Sequence, residues 1–168
     1  MSFSRREILQ ASVAGVALQL VPASARAVSA NGKLRTGHIG VGGMGHADLN
    51  SISSHPKVEV AALCDVDLNT LNKVQAKFPD AKPFRDFRDM ISQLGDSLDA
   101  IVVSTPDHTH APAAMTALNA NKPVYSQKPL THEIYEARQL RVVAEKRGLP
   151  TQLGIQIHSS SVYRRVCE

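Results

Sequence analysis

Tryptophan is absent from this chain, and aromatic residues make up only 4% of its 168 residues. A core without large rings has to be built from Val, Ile, Leu and Ala, which suits parallel strands covered by helices. Cysteine is almost as scarce, with Cys64 and Cys167 alone. Cys64 lies inside the apolar run VEVAALC and reads as a small buried hydrophobe. Two such cysteines make no disulfide framework, and without a Cys-x-x-Cys pair there is no zinc ribbon. No run of Lys and Arg and no aromatic-studded basic stripe occurs, so the formal net charge of +4 does not point to nucleic acid. Arg5, Arg6 and Arg26, against Glu7, put much of that charge in the N-terminal stretch. No apolar run reaches the roughly 20 residues of a spanning helix, so no permanent membrane span is expected. There is also no internal repeat and no low-complexity segment.

What is present begins with an address. Ser4-Arg5-Arg6-Glu7-Ile8-Leu9-Gln10 leads into the mostly apolar stretch from Ala11 to Val21, then Pro22 and Ala23-Ser24-Ala25-Arg26-Ala27. This is the order of a positive region, an apolar region and a small-x-small cleavage site. It resembles a twin-arginine (Tat) signal, whose pattern Ser-Arg-Arg-x-apolar-Leu is met, with Gln10 where Lys is usual. A Sec signal with a chance arginine pair is the alternative. The resemblance implies export of a folded, cofactor-loaded protein to the periplasm or beyond, with residues 1–27 as the signal and 28–32 as a linker.

From Lys33 onward, short apolar runs alternate with helical periodicity. Leu34 to Val41 reads as a strand and Gly43 to Ser54 as a helix. Val58 to Cys64 is a second strand. Asp67 caps a helix with Leu68, Leu71, Val74 and Phe78 on one face, stopped by Pro79. Lys82 to Arg85 is a short edge strand, since Pro83 is tolerated only at an edge. Asp86 caps a helix with Phe87, Met90, Ile91 and Leu94, ended by Gly95. Leu98 to Ser104 is a strand. His110 to Asn119 is a helix with Pro112 in its first turn, and Lys122 to Ser126 is another strand. Thr131 caps a long helix with Ile134, Ala137, Leu140, Val143 and Ala144 inward, closed by Lys146, Arg147 and Gly148. Leu149 to Ile157 is the last strand. The alternation predicts an α/β fold with a doubly wound parallel sheet of Rossmann type, spanning 33–155.

Gly40-Val41-Gly42-Gly43-Met44-Gly45 is a G-x-G-x-x-G turn that follows a predicted strand and opens a predicted helix. Gly40 permits the tight turn, Gly42 lets backbone approach a pyrophosphate, and Gly45 allows close packing of the helix. The helix N-terminus offers N–H groups and partial positive charge to phosphate. Asp65 ends the second strand about 20 residues on, where a carboxylate accepts from the ribose hydroxyls and repels a 2′-phosphate. Val66 follows it rather than an Arg, so NAD is favoured over NADP. A methyltransferase binding S-adenosylmethionine shares the glycine turn and the acid, and up to this point remains open.

Two further segments follow strands: Ser104-Thr105-Pro106-Asp107-His108-Thr109-His110 and Val124-Tyr125-Ser126-Gln127-Lys128-Pro129-Leu130. With the glycine turn they resemble the Gfo/Idh/MocA family of oxidoreductases: G-x-G-x-x-G, an Asp after strand two, a Pro followed four residues later by His, then Glu-Lys-Pro. The matches are Gly40, Gly42 and Gly45; Asp65; Pro106 with His110; and Gln127-Lys128-Pro129. The methyltransferase reading has no use for Lys-Pro there and is displaced. Gln127 departs from the family's Glu and removes a negative charge beside Lys128.

The resemblance implies hydride transfer between nicotinamide and a sugar or polyol carbon. It makes Lys128 the catalytic residue, polarising the reacting oxygen, with Pro129 fixing its backbone, a cis bond being one way to do so. The implied cofactor site is Gly40, Gly42, Gly43, Met44, Gly45, Asp65, Thr105, Pro106, His110, Gln127 and Lys128. No metal site is read: His108 is a loop residue and His110 packs near the cofactor. Gln156 and His158 leave the last strand near the nicotinamide position, and His38 reads as a buried, hydrogen-bonded residue.

Family members carry a C-terminal α/β domain that supplies the substrate wall and much of the oligomer interface. Residues 156–168 read as its beginning, so the chain is expected to be truncated and to bind dinucleotide without turning over substrate. A non-catalytic NAD-binding fragment and an NAD-dependent glycosidase of the same superfamily are the alternatives.

Overall fold

The computed structural model describes residues 32–159 and 161–167. The export signal read at 1–27 lies outside them, and the linker at 28–32 reaches them only at Gly32. Six strands form one parallel sheet: β1 (Leu34–Ile39), β2 (Val58–Cys64), β3 (Lys82–Phe84), β4 (Ala100–Val103), β5 (Val124–Gln127) and β6 (Thr151–Gly154). Their order across the sheet is β3-β2-β1-β4-β5-β6. β1 pairs with β2 on one side and β4 on the other, Ile39 standing opposite both Cys64 and Val103. The chain therefore reverses its winding beside β1, where open α/β sheets form a crevice for ligands.

Helices α1 (Gly43–Ser53), α2 (Leu68–Gln75), α3 (Phe87–Leu94), α4 (His110–Asn119) and α5 (Ile134–Arg147) connect the strands, and α6 (Ser161–Cys167) follows β6. The core divides by sheet face. Leu49, Leu71 and Val74 meet Leu63 beneath α1 and α2. Met90, Ala113, Ala117, Leu118 and Leu140 meet Ala62, Cys64, Ile101 and Val103 beneath α3, α4 and α5. Successive β2 residues, Ala62, Leu63 and Cys64, thus serve opposite faces. Burial on both sides explains why the strands read as continuous apolar runs rather than alternating ones.

Local signals set several boundaries. Asp67 caps α2, its carboxylate accepting from the Asn69 N–H at 3.0 Å and the Thr70 hydroxyl at 2.7 Å. Asp86 caps α3 in the same way through the Arg88 N–H at 2.9 Å. Gly148 closes α5 with φ of 62°, a left-handed position that glycine takes without penalty.

Three expectations are corrected. Thr131 does not cap α5: its hydroxyl donates to the Glu133 carbonyl at 2.8 Å, and Glu133 is the cap, its N–H donating to the Glu136 carboxylate at 3.1 Å. Ile134, expected inward, is 75% exposed. The last strand is also shorter than Leu149 to Ile157. β6 pairs only with β5, in register from Val124 opposite Thr151 to Gln127 opposite Gly154, so its length follows its one neighbour. Beyond it a 3-10 turn at Gln156–Ser159 leads to α6.

Candidate functional site

All strands run the same way, so the segments following β1, β2, β4, β5 and β6 converge at one edge of the sheet. The glycine turn leaves β1 there. Gly40 has φ of 79°, and a Cβ on it would lie 2.7 Å from the Ser104 carbonyl oxygen. A Cβ on Gly45 would lie 2.0 Å from the Gly40 carbonyl oxygen. Both positions are closed to side chains by backbone that cannot yield. The close approach at Gly45 is thus to the turn itself and to the end of β4, which pins the start of α1 over the β1–β4 crevice.

Gly42 is different. It is the N-cap of α1, with no side-chain hydrogen bond closing the helix. A Cβ there would meet the Thr70 methyl at 3.1 Å, with the Thr70 hydroxyl at 3.9 Å and Asp65 Oδ2 at 4.0 Å, while one on Gly43 would have none of the described atoms within 4 Å. The first-turn N–H groups of a helix have no intrahelical partners. Here they stand at a backbone stripped of side chains, which is the form of an anion cradle. Met44, 53% exposed, flanks it.

Asp65 reaches this turn from β2. Its Oδ2 accepts from the Val41 N–H at 2.9 Å and its Oδ1 from the Asp67 N–H at 3.0 Å. The carboxylate therefore locks the turn to the end of β2 and retains lone pairs for further donors. Val66 beside it is exposed, and no cationic side chain pairs with Asp65 among the described residues. Cys64, just before it, is buried, and its thiol is pushed up to about 12 by burial, then by the charges of Asp86, Asp65 and Asp89. It is a packing residue, not a nucleophile.

After β4 and β5 two loops are stitched together by His110. The ring, 1% exposed, lies with Nδ1 2.6 Å from the Pro129 carbonyl oxygen and Nε2 2.7 Å from the Thr105 carbonyl oxygen. Both partners are acceptors, so the ring nitrogen that carries the proton donates, and the ring bridges the Pro106 turn and the Lys128–Pro129 turn. The Lys128–Pro129 bond is cis. Lys128 is exposed, and its N–H donates to Gln127 Oε1 at 2.8 Å. The Thr105 hydroxyl is buried at the same edge, without a partner among the described residues.

Sequence reasoning passed over Asp48. It is 5% exposed on the inner side of α1 and accepts from the Ser104 hydroxyl at 2.7 Å, the Gln127 amide at 2.8 Å and the Gln156 amide at 2.9 Å. The signal was there: Gly45, Asp48 and Leu49 share one helical face, and a carboxylate on a core-facing stripe requires donors. Gln156 thus joins the site through Asp48. His158 does not; it stacks on Tyr163 of α6 with centroids 4.9 Å apart. His108, read as a loop residue, is exposed within a 3-10 turn at Asp107–Thr109, near Asp107. His38 is buried in β1 beside the Thr36 hydroxyl, at 3.0 Å. Burial pushes its pKa down to about 4, against the pull of Asp48, so it is neutral at pH 7. Tyr125 is raised, first by burial and then by the Asp48 charge, with a hydrogen bond from Gln156 opposing.

A cavity of about 570 Å³ lies elsewhere, between α4, α5, β5 and β6, lined by Leu118, Val124, Ser126 and Leu140 among others. Ser126 and Gln127 point to opposite faces of β5, so this cavity is on the far side of the sheet from Asp48 and has no share in the glycine turn.

A parallel sheet with this winding, a side-chain-free helix start at the switch point and an acid at the end of β2 defines a Rossmann-type dinucleotide-binding domain. The chain belongs to the Gfo/Idh/MocA oxidoreductase family with an NAD-binding Rossmann fold, which it matches over residues 34–155. It is 28% identical over 117 residues to inositol 2-dehydrogenase of Salmonella typhimurium, covering 68% of this chain and 34% of that protein. It is 34% identical over 110 residues to inositol 2-dehydrogenase of Rubrobacter xylanophilus, covering 64% of this chain and 30% of the relative. Among solved structures, scyllo-inositol dehydrogenase from Lactobacillus casei with bound NAD(H) and scyllo-inositol superposes with a TM-score of 0.73 at 25% identity, over 80% of this chain and 39% of that one. A 3-ketoreductase from Actinomadura kijaniata in complex with TDP-benzene and NADP gives 0.72 at 26% identity, over 80% and 42%. The chain therefore spans about a third of the curated relatives' length.

Proposed function

We propose that the chain binds NAD across the carboxyl ends of its strands and serves hydride transfer between nicotinamide and a carbon of a sugar or polyol. The observation that carries this reading is the uncapped start of α1 at Gly42 and Gly43, beside the Asp65 carboxylate and on the same sheet edge as Lys128. Gly42, Gly43 and the first-turn N–H groups would hold the pyrophosphate. Asp65 would accept from the ribose and, by its charge, disfavour a 2′-phosphate, so the preference is for NAD over NADP. Bound NAD supplies the hydride acceptor.

Lys128 then polarises the reacting oxygen and holds or passes its proton through the ε-amine. His110 and Pro129 keep the two loops in register beside it. The relatives named as inositol dehydrogenases favour a cyclic polyol as substrate class. The test is a chimera in which residues 33–155 replace the matching part of the Salmonella inositol dehydrogenase. It should reduce NAD with inositol, and its Lys128→Ala version should bind NAD yet lose at least about a hundredfold in kcat. Full activity of the Lys128→Ala chimera would remove Lys128 from the chemistry.

We also infer export, supported by Ser4-Arg5-Arg6 and the apolar stretch after it. Replacing Arg5 and Arg6 by Lys should retain the protein inside the cell. Undiminished export of that variant would refute the twin-arginine route.

A further inference from the structure

We propose that Asp48 is the positioning residue of the Lys128 turn, acting through Gln127 as a matched acceptor–donor pair. The inference rests on the reading that Lys128 faces the reacting carbon, but its geometry stands by itself. Asp48 lies on α1, directly behind the glycine turn, and gathers donors from the ends of three strands: Ser104 after β4, Gln127 at the end of β5 and Gln156 after β6. No lysine or arginine pairs with it among the described residues. A buried carboxylate with no cation depends on donors of this kind for its solvation.

Gln127, 4% exposed, is the only one of the three donors that is joined directly to the Lys128 backbone. Its amide has two chemically different ends, and each end meets a partner of the opposite kind. The NH₂ donates to Asp48 at 2.8 Å, and the carbonyl accepts the Lys128 N–H at 2.8 Å. The reverse orientation would set oxygen against carboxylate and NH₂ against N–H, so only one orientation satisfies both. The side chain is thereby locked, and so is the peptide that carries Lys128. The same α1 helix thus begins with the phosphate cradle and, from its next turn, fixes the reactive lysine. Phosphate seat and lysine share one rigid element, which is how a site keeps reacting atoms in register.

The departure of Gln127 from the Glu-Lys-Pro pattern follows from the same contact. A glutamate here would place a carboxylate oxygen where the NH₂ now stands, at hydrogen-bond distance from Asp48 and with no donor between them. A shared proton or an opened turn would be the only ways out. Gln127 is the donor that Asp48 requires.

The experiment uses the 168-residue chain and reads hydrogen exchange at the Lys128 amide, with the amides of Val124, Tyr125 and Ser126 as internal controls. Competitive acetylation of the Lys128 ε-amine provides a second readout. Gln127→Glu should speed exchange at Lys128 by roughly tenfold or more and change its acetylation rate, while the β5 controls stay protected. The reciprocal variant, Asp48→Asn with Gln127→Glu, restores a donor facing an acceptor and should return both readouts to near the parent values. If Gln127→Glu fails to fold, Gln127→Met, similar in shape but without donor or acceptor, should give the same loosening at Lys128 alone. Parent-like protection in Gln127→Glu or Gln127→Met, or no rescue by the reciprocal pair, would overturn the proposal. Those outcomes leave the role of Lys128 in chemistry to the chimera, whose failure in turn leaves this geometry intact.

Discussion

Asp65 is the residue on which cofactor choice turns. Its carboxylate already serves the Val41 and Asp67 N–H groups, so it holds a fixed orientation before any ligand arrives. Asp65→Ala should weaken NAD binding by about 1–3 kcal/mol, the range for hydrogen bonds to a charged group. It should also narrow the preference for NAD over NADP, because the repulsion of a 2′-phosphate goes with it. Equal affinity of the parent protein for the two cofactors would contradict this account. Asp65 was legible in the sequence because its spacing from the glycine turn is fixed by one helix and one strand. Asp48 was not, because its meaning is entirely tertiary. Its donors lie 56, 79 and 108 residues away in the chain, and no local pattern joins them.

At the scale of elements, the glycine turn separates two demands that the motif runs together. A Cβ on Gly45 would collide with the Gly40 carbonyl, whereas one on Gly42 would meet the Thr70 methyl first, at 3.1 Å. Gly45→Ala should therefore cost several kcal/mol of stability, on the order of other backbone clashes and overpacking. Gly42→Ala should cost under about 1 kcal/mol in folding yet weaken NAD binding strongly, because its methyl fills the approach of the pyrophosphate. Thermal melts and NAD titrations on both variants check this, and loss of fold in Gly42→Ala with none in Gly45→Ala would reverse the assignment. The helix starts at Asp67 and Asp86 were readable because a cap and its donors lie within one turn. The start of α5 was not. Thr131 and Glu133 both precede the same apolar stripe, and the Glu133–Glu136 arrangement satisfies backbone that Thr131 alone would leave open. The end of β6 was misread for another reason: an edge strand is as long as its single partner allows, and that partner is distant in sequence.

For the whole molecule, the parallel winding and the convergence of five loops on one edge follow from the strand–helix alternation, and family membership agrees with both. The winding, the glycine turn and Asp65 make this edge a dinucleotide site. Calorimetric titration of the folded 168-residue chain with NAD tests it most directly. One NAD per chain should bind saturably, more weakly in Asp65→Ala and far more weakly in Gly42→Ala at unchanged circular dichroism. A folded chain that takes up no NAD, or takes it up equally well with alanine at position 42, would contradict that assignment.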